Sequence, residues 1–163
     1  MSNFTHLKED GSLCMVNVGE KAFTKRKAIA KAEVIFPKEI YPRILAQDVP
    51  KGDFLACAKI AGILGAKKTS ELIPLCHPLP ITHIDINFQF IPERFALEIT
   101  AEVETIAQTG VEMEALTAVT LSALTIYDMC KGMDDSMVIE EMRLLEKAGG
   151  KSQWSKSLEG VAV

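Results

Sequence analysis

The chain has 163 residues, 48% of them hydrophobic and 25% charged, and a formal net charge of −4. This length fits one domain that buries roughly 70% of its unfolded surface, and the acidic balance argues against nucleic acid as a partner. No membrane span or signal peptide is predicted, and four scattered cysteines without a CxxC pair favour a reduced, cytoplasmic setting.

The first half of the chain predicts a strand followed by helices. Alternating apolar residues over 27–36 indicate the strand. Pro37 then begins a short helical segment that Pro42 strains. Asp53 is a suitable N-cap for a helix running to about Lys67, and its many small residues would let another backbone approach closely.

The second half predicts a stiff loop, a hairpin, a helix and a last strand. The loop is the proline-bounded segment 73–80, and the hairpin over 81–106 turns at 92–94. A long apolar helix follows over 110–131, and then a strand over 137–147. The prediction is one α+β domain over residues 1–163, an antiparallel sheet covered by helices, with residues 1–12 and 153–163 flexible.

The strongest local candidate for chemistry is a charged pair in the long helix. Asp128 is the only charged side chain between Ala115 and Cys130, and Lys131 lies on the same face three residues later. We expect the pair to be buried, where desolvation and mutual attraction shift the pKa of each group in opposite directions. Such a pair can exchange protons near neutral pH, although a structural ion pair has the same spacing.

Other polar candidates each have an ordinary alternative. Glu112 and Glu114 open the long helix, where carboxylates also simply suit the helix dipole. His77 lies between Cys76 and Pro78 and could bind substrate or move protons, or be a plain loop histidine. A zinc site is not predicted, because no second Cys-His pair stands at ligand spacing.

Basic residues near glycines and helix starts are candidates for binding phosphate. Lys51 precedes a helix start, where backbone amides attract anions. Lys147 and Lys151 flank a glycine pair, but the sequence lacks the first glycine of a P-loop. Arg26 belongs to a basic cluster, which is typical of a hydrated surface.

Several motifs, taken in order, identify a family resemblance. The chain resembles the cyclic pyranopterin monophosphate synthase family, the accessory protein C of molybdenum cofactor biosynthesis. The matching motifs cover nearly the whole chain: Thr5-His6, MVNV, KGDFLACAKIAGILGAKKTSELIPLCHPL, TGVEMEALTA, LTIYDMCK and MRLLEKAGGKS. One departure is Asn17, where the family has Asp, and another is Gln153-Trp154 in place of a glycine.

The resemblance implies a ferredoxin-like α+β fold and a homohexamer, a trimer of dimers, with active sites across subunit interfaces. It implies a lyase that converts a small molecule, 3′,8-cyclo-7,8-dihydroguanosine 5′-triphosphate, to cyclic pyranopterin monophosphate and pyrophosphate. It implies no cofactor and leaves open whether Mg²⁺ accompanies the triphosphate. The alternatives are a ferredoxin-like purine-nucleotide sensor without turnover, and a structural oligomer whose Asp-Lys pair fixes an interface.

The resemblance also assigns roles to individual residues. Asp128 matches the acid/base residue, and Lys51 and Lys131 match essential lysines that move protons or stabilise developing charge. The residues that match substrate-binding positions are Leu75, Cys76, His77, Glu112, Met113, Glu114, Arg26 and Lys147. Of these, Arg26 and Lys147 match residues suited to binding the triphosphate.

Overall fold

The computed structural model describes residues 7–8, 10–150 and 153–155. These residues form five strands and four helices, in the order β1 (Thr24–Ile35), α1 (Tyr41–Leu45), α2 (Phe54–Lys67), α3 (Thr69–Leu72), β2 (Ile81–Ile91), β3 (Ala96–Ala107), α4 (Glu112–Cys130), β4 (Val138–Ala148) and β5 (Trp154–Ser155). The long helices α2 and α4 pack on each other and on one face of the sheet.

The strands form one antiparallel sheet in the order β2-β3-β1-β4-β5. Helices connect β1 to β2 and β3 to β4, whereas a single 3₁₀ turn over Pro92–Arg94 connects β2 to β3. This βαββαβ order, with β1 and β3 in the centre, is the ferredoxin-like arrangement. The α+β prediction and the ferredoxin-like expectation are therefore confirmed.

The apolar alternation in the sequence determines which face of the sheet meets the helices. Ala28, Ala30, Ala32 and Val34 of β1 are fully buried. The predicted hairpin faces also pair as expected across β2 and β3, because successive side chains of a strand point to opposite faces. These pairs are Ile84 with Val103, Ile86 with Ala101, Phe88 with Ile99 and Phe90 with Leu97.

Small residues allow α2 and α4 to pack closely. A Cβ on Gly62 would lie 2.8 Å from the main-chain oxygen of Ala118, which is shorter than the contacts that Cβ atoms make in proteins. Ser122 of α4 donates a hydrogen bond of 3.0 Å to the main-chain oxygen of Ala58 in α2. The two helices are thus locked in register, and this fixes the relative position of the segments at their ends.

The structure corrects several local predictions. Pro42 does not strain its helix, because it lies in the first turn of α1, where its missing N–H has no intrahelical partner to lose. Neither α3 nor the short strand β5 was predicted. The flexibility predicted for residues 1–12 and 153–163 stays a prediction, since residues 1–6, 9, 151–152 and 156–163 lie outside the described part of the chain.

Candidate active site

The three residues expected to be catalytic meet at the C-terminal end of α4. The Nζ of Lys51 donates to the main-chain oxygen of Asp128 at 2.7 Å and lies 3.0 Å from its Oδ2. The Nζ of Lys131 lies 2.8 Å from Oδ1 of the same carboxylate. Each carboxylate oxygen therefore has its own ammonium group, and we call these three residues the lysine-aspartate cluster.

Two local structures place the lysines in this cluster. Lys51 is followed by Gly52, whose φ of +97° is rare for residues other than glycine. Asp53 comes next and caps α2 by accepting a 2.9 Å hydrogen bond from the Ala56 N–H. Lys131 is the C-cap of α4. The loop after it is held by the hydroxyl of Tyr127, which donates to the main-chain oxygen of Asp135 at 2.8 Å.

The cluster lies on the surface of the chain, so the expectation of a buried pair is wrong for the single chain. The side chains of Lys51, Asp128 and Lys131 are 45%, 55% and 51% exposed. Asp128 is two residues from the buried Ile126 and Cys130, a rotation of about 200° that turns it to the opposite side of the helix. The apolar neighbours in the sequence therefore do not enclose it.

This exposure also changes the expected protonation of the pair. The hydrogen bond from Lys131, followed by that from Lys51, lowers the pKa of Asp128 below its ordinary value. The Asp128 carboxylate in turn raises the pKa of Lys131. Both groups are therefore charged at neutral pH in the single chain, and the balanced proton exchange predicted from the sequence does not hold there.

A second group of candidate residues lies around the N-terminal end of α4. A cavity of about 440 Å³ opens there, with Val16, Val18 and Leu79 among its apolar walls. We call it the helix-start cavity. It is lined by six of the predicted substrate-binding residues: Leu75, Cys76, His77, Glu112, Met113 and Glu114.

The two remaining substrate-binding candidates line a neighbouring cavity of about 600 Å³, the basic cavity. Arg26 and Lys147 lie in its wall, and it shares four residues with the helix-start cavity. The shared residues are Lys21, Thr109, Gly110 and Glu112. All eight predicted substrate-binding positions therefore lie on two adjoining cavities, although they come from four separate segments of the chain.

An ion pair links the two cavities. The Nζ of Lys147 in β4 contacts Oε1 of Glu112 in the first turn of α4. Arg26 is half-buried rather than fully hydrated, and its guanidinium donates to the main-chain oxygen of Gln108 at 3.3 Å. A side chain on Gly150 would collide with this guanidinium, so the glycine pair lets the chain pass close over Arg26.

Glu114 differs from the other carboxylates in its surroundings. Only 4% of the surface of Glu114 is exposed to solvent. Burial raises its pKa to about 7, and the negative charge of Glu112 acts in the same direction. Near neutral pH this side chain therefore exists in both its acid and its carboxylate form, so it can donate or accept a proton in the helix-start cavity.

His77 is fixed by the N-terminal segment of the chain. Its Nε2 lies 2.8 Å from the main-chain oxygen of Val16. A carbonyl oxygen only accepts hydrogen bonds, so Nε2 carries the proton and donates. In the neutral ring this leaves Nδ1 as an acceptor. His77 therefore both holds the wall of the cavity and keeps one ring nitrogen for other partners.

Sequence reasoning missed several residues of the cavity walls, notably Lys21, Gln108 and Thr109. Lys21 belongs to the segment 16–23, which has no strand or helix pattern and is held by tertiary contacts. The departure at Asn17 is accommodated here, because its Oδ1 accepts a 2.9 Å hydrogen bond from the Gly19 N–H. An Asp carboxylate oxygen would accept the same bond. Of the two predicted phosphate lysines near the glycine pair, Lys151 lies outside the described residues.

The structure does not bring the lysine-aspartate cluster and the cavities together within one chain. Asp128 and Glu112 are sixteen residues apart on α4, which corresponds to about 24 Å along the helix. Among the described residues, no group of three or more His, Cys, Asp or Glu side chains could hold a metal ion. In the same part of the chain, every helix is too short or too polar to cross a membrane.

Comparison with known proteins identifies the family. The MoaC family model matches residues 15–150. The chain is 57% identical to a cyclic pyranopterin monophosphate synthase of Pelotomaculum thermopropionicum, over 93% of this chain and 89% of that protein. It is 55% identical to the protein of that name from Listeria monocytogenes serotype 4a, over 92% and 93%. It is 53% identical to the cyclic pyranopterin monophosphate synthase of Thermoanaerobacter pseudethanolicus, over 92% of this chain and 95% of that protein. With its whole folded core matched in this way, the chain belongs to the MoaC family.

Proposed function

We propose that this protein is a cyclic pyranopterin monophosphate synthase, a lyase of molybdenum cofactor biosynthesis. Its substrate would be 3′,8-cyclo-7,8-dihydroguanosine 5′-triphosphate, and its products cyclic pyranopterin monophosphate and pyrophosphate. Similarity over nearly the full length to relatives that carry this name supports the activity. The observation that carries the proposal is the convergence of all eight substrate-binding candidates on two adjoining cavities.

The two cavities suit the two parts of this substrate. Arg26, Lys147 and Lys21 offer three cations to the triphosphate in the basic cavity. The helix-start cavity combines apolar walls with polar groups such as Glu114 and His77, which can bond the edge of the base and the ribose. The negative total charge of the chain does not oppose this, because the local field at the cavity decides the binding of an anion.

The chemistry also needs the lysine-aspartate cluster, about 24 Å from the cavities in one chain. The proposal is therefore that the cluster of one subunit completes the cavities of another, in a hexamer built as a trimer of dimers. Exposed apolar side chains on the helices support an association of this kind. They are Ile60 and Leu64 on α2, Leu72 on α3 and Leu124 on α4, each more than half exposed.

Association would also adjust the protonation of the cluster. Covering Asp128 with a second subunit removes water, which raises the pKa of a carboxylate and lowers that of a lysine. The paired groups then become able to pass protons while the purine opens and the pterin closes. Lys51 and Lys131 would in addition stabilise the charge that develops as pyrophosphate leaves.

The reaction rearranges bonds and moves protons, with no net transfer of electrons. Our proposal therefore includes no cofactor of the protein's own, with side-chain cations offsetting the phosphate charge and any Mg²⁺ arriving with the triphosphate. We also place the enzyme in the cytoplasm, which suits four scattered cysteines without a CxxC pair.

The decisive experiment is incubation of the pure protein with the cyclised dihydro-GTP, followed by measurement of pyrophosphate and of the cyclic product. We expect both products in equal amounts over many turnovers. Binding of the substrate without any pyrophosphate would instead support a purine-nucleotide sensor and would overturn the assignment as a lyase.

A further inference from the structure

Gln108 connects three parts of the cavity walls. Its side-chain Nε2 donates to the main-chain oxygens of Gly19 at 3.1 Å and Lys21 at 3.0 Å. Its own main-chain oxygen accepts from the guanidinium of Arg26 at 3.3 Å. We propose that Gln108 is a positioning residue that acts through Lys21, holding this lysine at the junction of the two cavities for the phosphate chain of the substrate; this inference rests on the proposed function.

The segment that carries Lys21 depends on contacts of this kind. Residues 16–23 contain no helix or strand, so no backbone ladder fixes them. His77 holds one end of the segment at Val16, and Gln108 holds the other end at Gly19 and Lys21. A loop fastened at two points loses its defined position when one of them is released.

The position of Lys21 explains why its fixation matters. Lys21 lines both cavities, so this residue lies where the nucleoside and the phosphate chain of the substrate would join. A flexible lysine binds an anion weakly if its main chain also moves, because ordering both costs conformational entropy. Because Gln108 already holds the backbone at Lys21, the conformational entropy of the main chain is not lost when the substrate binds.

The chemistry of the contact requires an amide. Both partners of the Gln108 side chain are carbonyl oxygens, and the NH₂ group supplies one hydrogen to each. Gln108→Glu keeps the size of the side chain but presents carboxylate oxygens to two carbonyls, which repel them. Gln108→Met removes the donors without adding charge. Gln89→Glu is the matched control, because it makes the same chemical change at an exposed position of β2.

The test measures kcat, KM and the thermal midpoint of each variant. We expect KM to rise about tenfold in Gln108→Glu and Gln108→Met, with kcat within about twofold, as for a loss of substrate binding alone. Lys21→Ala should raise KM to a similar degree, and the double variant Lys21→Ala/Gln108→Met should be no worse than Lys21→Ala. Gln89→Glu should match the wild type. A purely structural role would lower the thermal midpoint and the active fraction while leaving KM unchanged.

A binding measurement separates this inference from the proposed function. Titration calorimetry with inorganic triphosphate needs no turnover, and affinity should fall about tenfold in Gln108→Glu and stay unchanged in Gln89→Glu. Should the wild type release no pyrophosphate from the cyclised substrate, this calorimetric difference would still support the positioning role. Equal triphosphate affinity in wild type and Gln108→Glu, or additive effects of Gln108→Met and Lys21→Ala, would overturn it.

Discussion

Lys51 holds Asp128 through two different atoms, although the residues are 77 positions apart. One ammonium group donates to the main-chain oxygen at 2.7 Å and to Oδ2 at 3.0 Å. Because the first contact does not involve the carboxylate, Lys51 keeps a partner when the Asp128 side chain is shortened. The acid/base group can therefore be removed by mutation without releasing the lysine beside it.

Replacing Asp128 by Ala should lower turnover by at least about a hundredfold, the usual contribution of a general acid or base. The side chain of Asp128 is exposed in the single chain, so the fold of that chain should not depend on it and the circular dichroism spectrum should be unchanged. Asp85→Ala is the matched control, since Asp85 of β2 pairs with Lys59 of α2 at 3.5 Å and its side chain is similarly exposed. Pyrophosphate release measures the effect. Full turnover by Asp128→Ala would remove this residue from the mechanism.

The two-subunit site predicts that two inactive variants restore each other. Asp128→Ala damages the lysine-aspartate cluster and Arg26→Ala damages the basic cavity. A mixed dimer of the two would contain one site with both parts intact, so co-expression should recover on the order of a quarter of wild-type activity. The control pairs Asp128→Ala with Lys51→Ala, which leaves every cluster defective and should recover nothing. If the first mixture is as inactive as the control, each site is built from one subunit.

The sequence predicted what depends on local patterns. Alternation identified β1 and the paired faces of β2 and β3, and residue preference identified Asp53 as a helix cap. It could not show that Asp128 is exposed, because hydrophobic neighbours along a helix do not reveal which face the rest of the fold covers. Nor does spacing bring Lys51 to Asp128, a contact that exists only through the packing of α2 on α4.

The residues of the candidate site were likewise predicted only in part. The resemblance located eight residues of the cavity walls, but the wall formed by residues 16–23 has no periodic signal in the sequence. Lys21 was missed for that reason, and Gln108 is a single polar residue directly after the end of β3. Their importance follows from hydrogen bonds between distant segments, which a single sequence does not encode in any local form.

The ion pair between Glu112 and Lys147 predicts a gain of anion affinity on removal of one charge. Glu112→Gln keeps a polar side chain near Lys147 but no longer neutralises it, so inorganic triphosphate should bind about threefold to tenfold more tightly. Glu102→Gln is the control, because Glu102 pairs with Lys27 at 2.7 Å with comparable exposure and lines neither cavity. Calorimetry at low and high salt measures both. Weaker binding in Glu112→Gln would mean that the carboxylate itself helps to hold the phosphate site.

The raised pKa of Glu114 predicts a pH-dependent stability. The folded protein binds this proton up to a pH of about 7, whereas the unfolded chain releases it near 4.5. The folded state therefore binds more protons in this interval, and stability falls as pH rises through it, by roughly 3 kcal/mol in total. Glu114→Gln should reduce the pH dependence of the thermal midpoint between pH 4.5 and 7. Glu39→Gln, a change at an exposed position, should leave that dependence as it is in the wild type. An identical slope in Glu114→Gln would place the titrating group elsewhere.

The close packing of α2 on α4 predicts that a single methyl group disturbs the fold. In Gly62→Ala the new Cβ would lie 2.8 Å from the Ala118 oxygen and 2.6 Å from Cδ1 of Ile86, and the backbone oxygen has little room to move. Such overpacking costs about 1–3 kcal/mol in the free energy of unfolding. Gly132→Ala is the control, because a Cβ there meets nothing within 4 Å. Urea denaturation at fixed protein concentration compares the two. Equal stability would mean that the helices separate freely, and α4 would then be unable to hold the cluster and the cavities at a fixed distance.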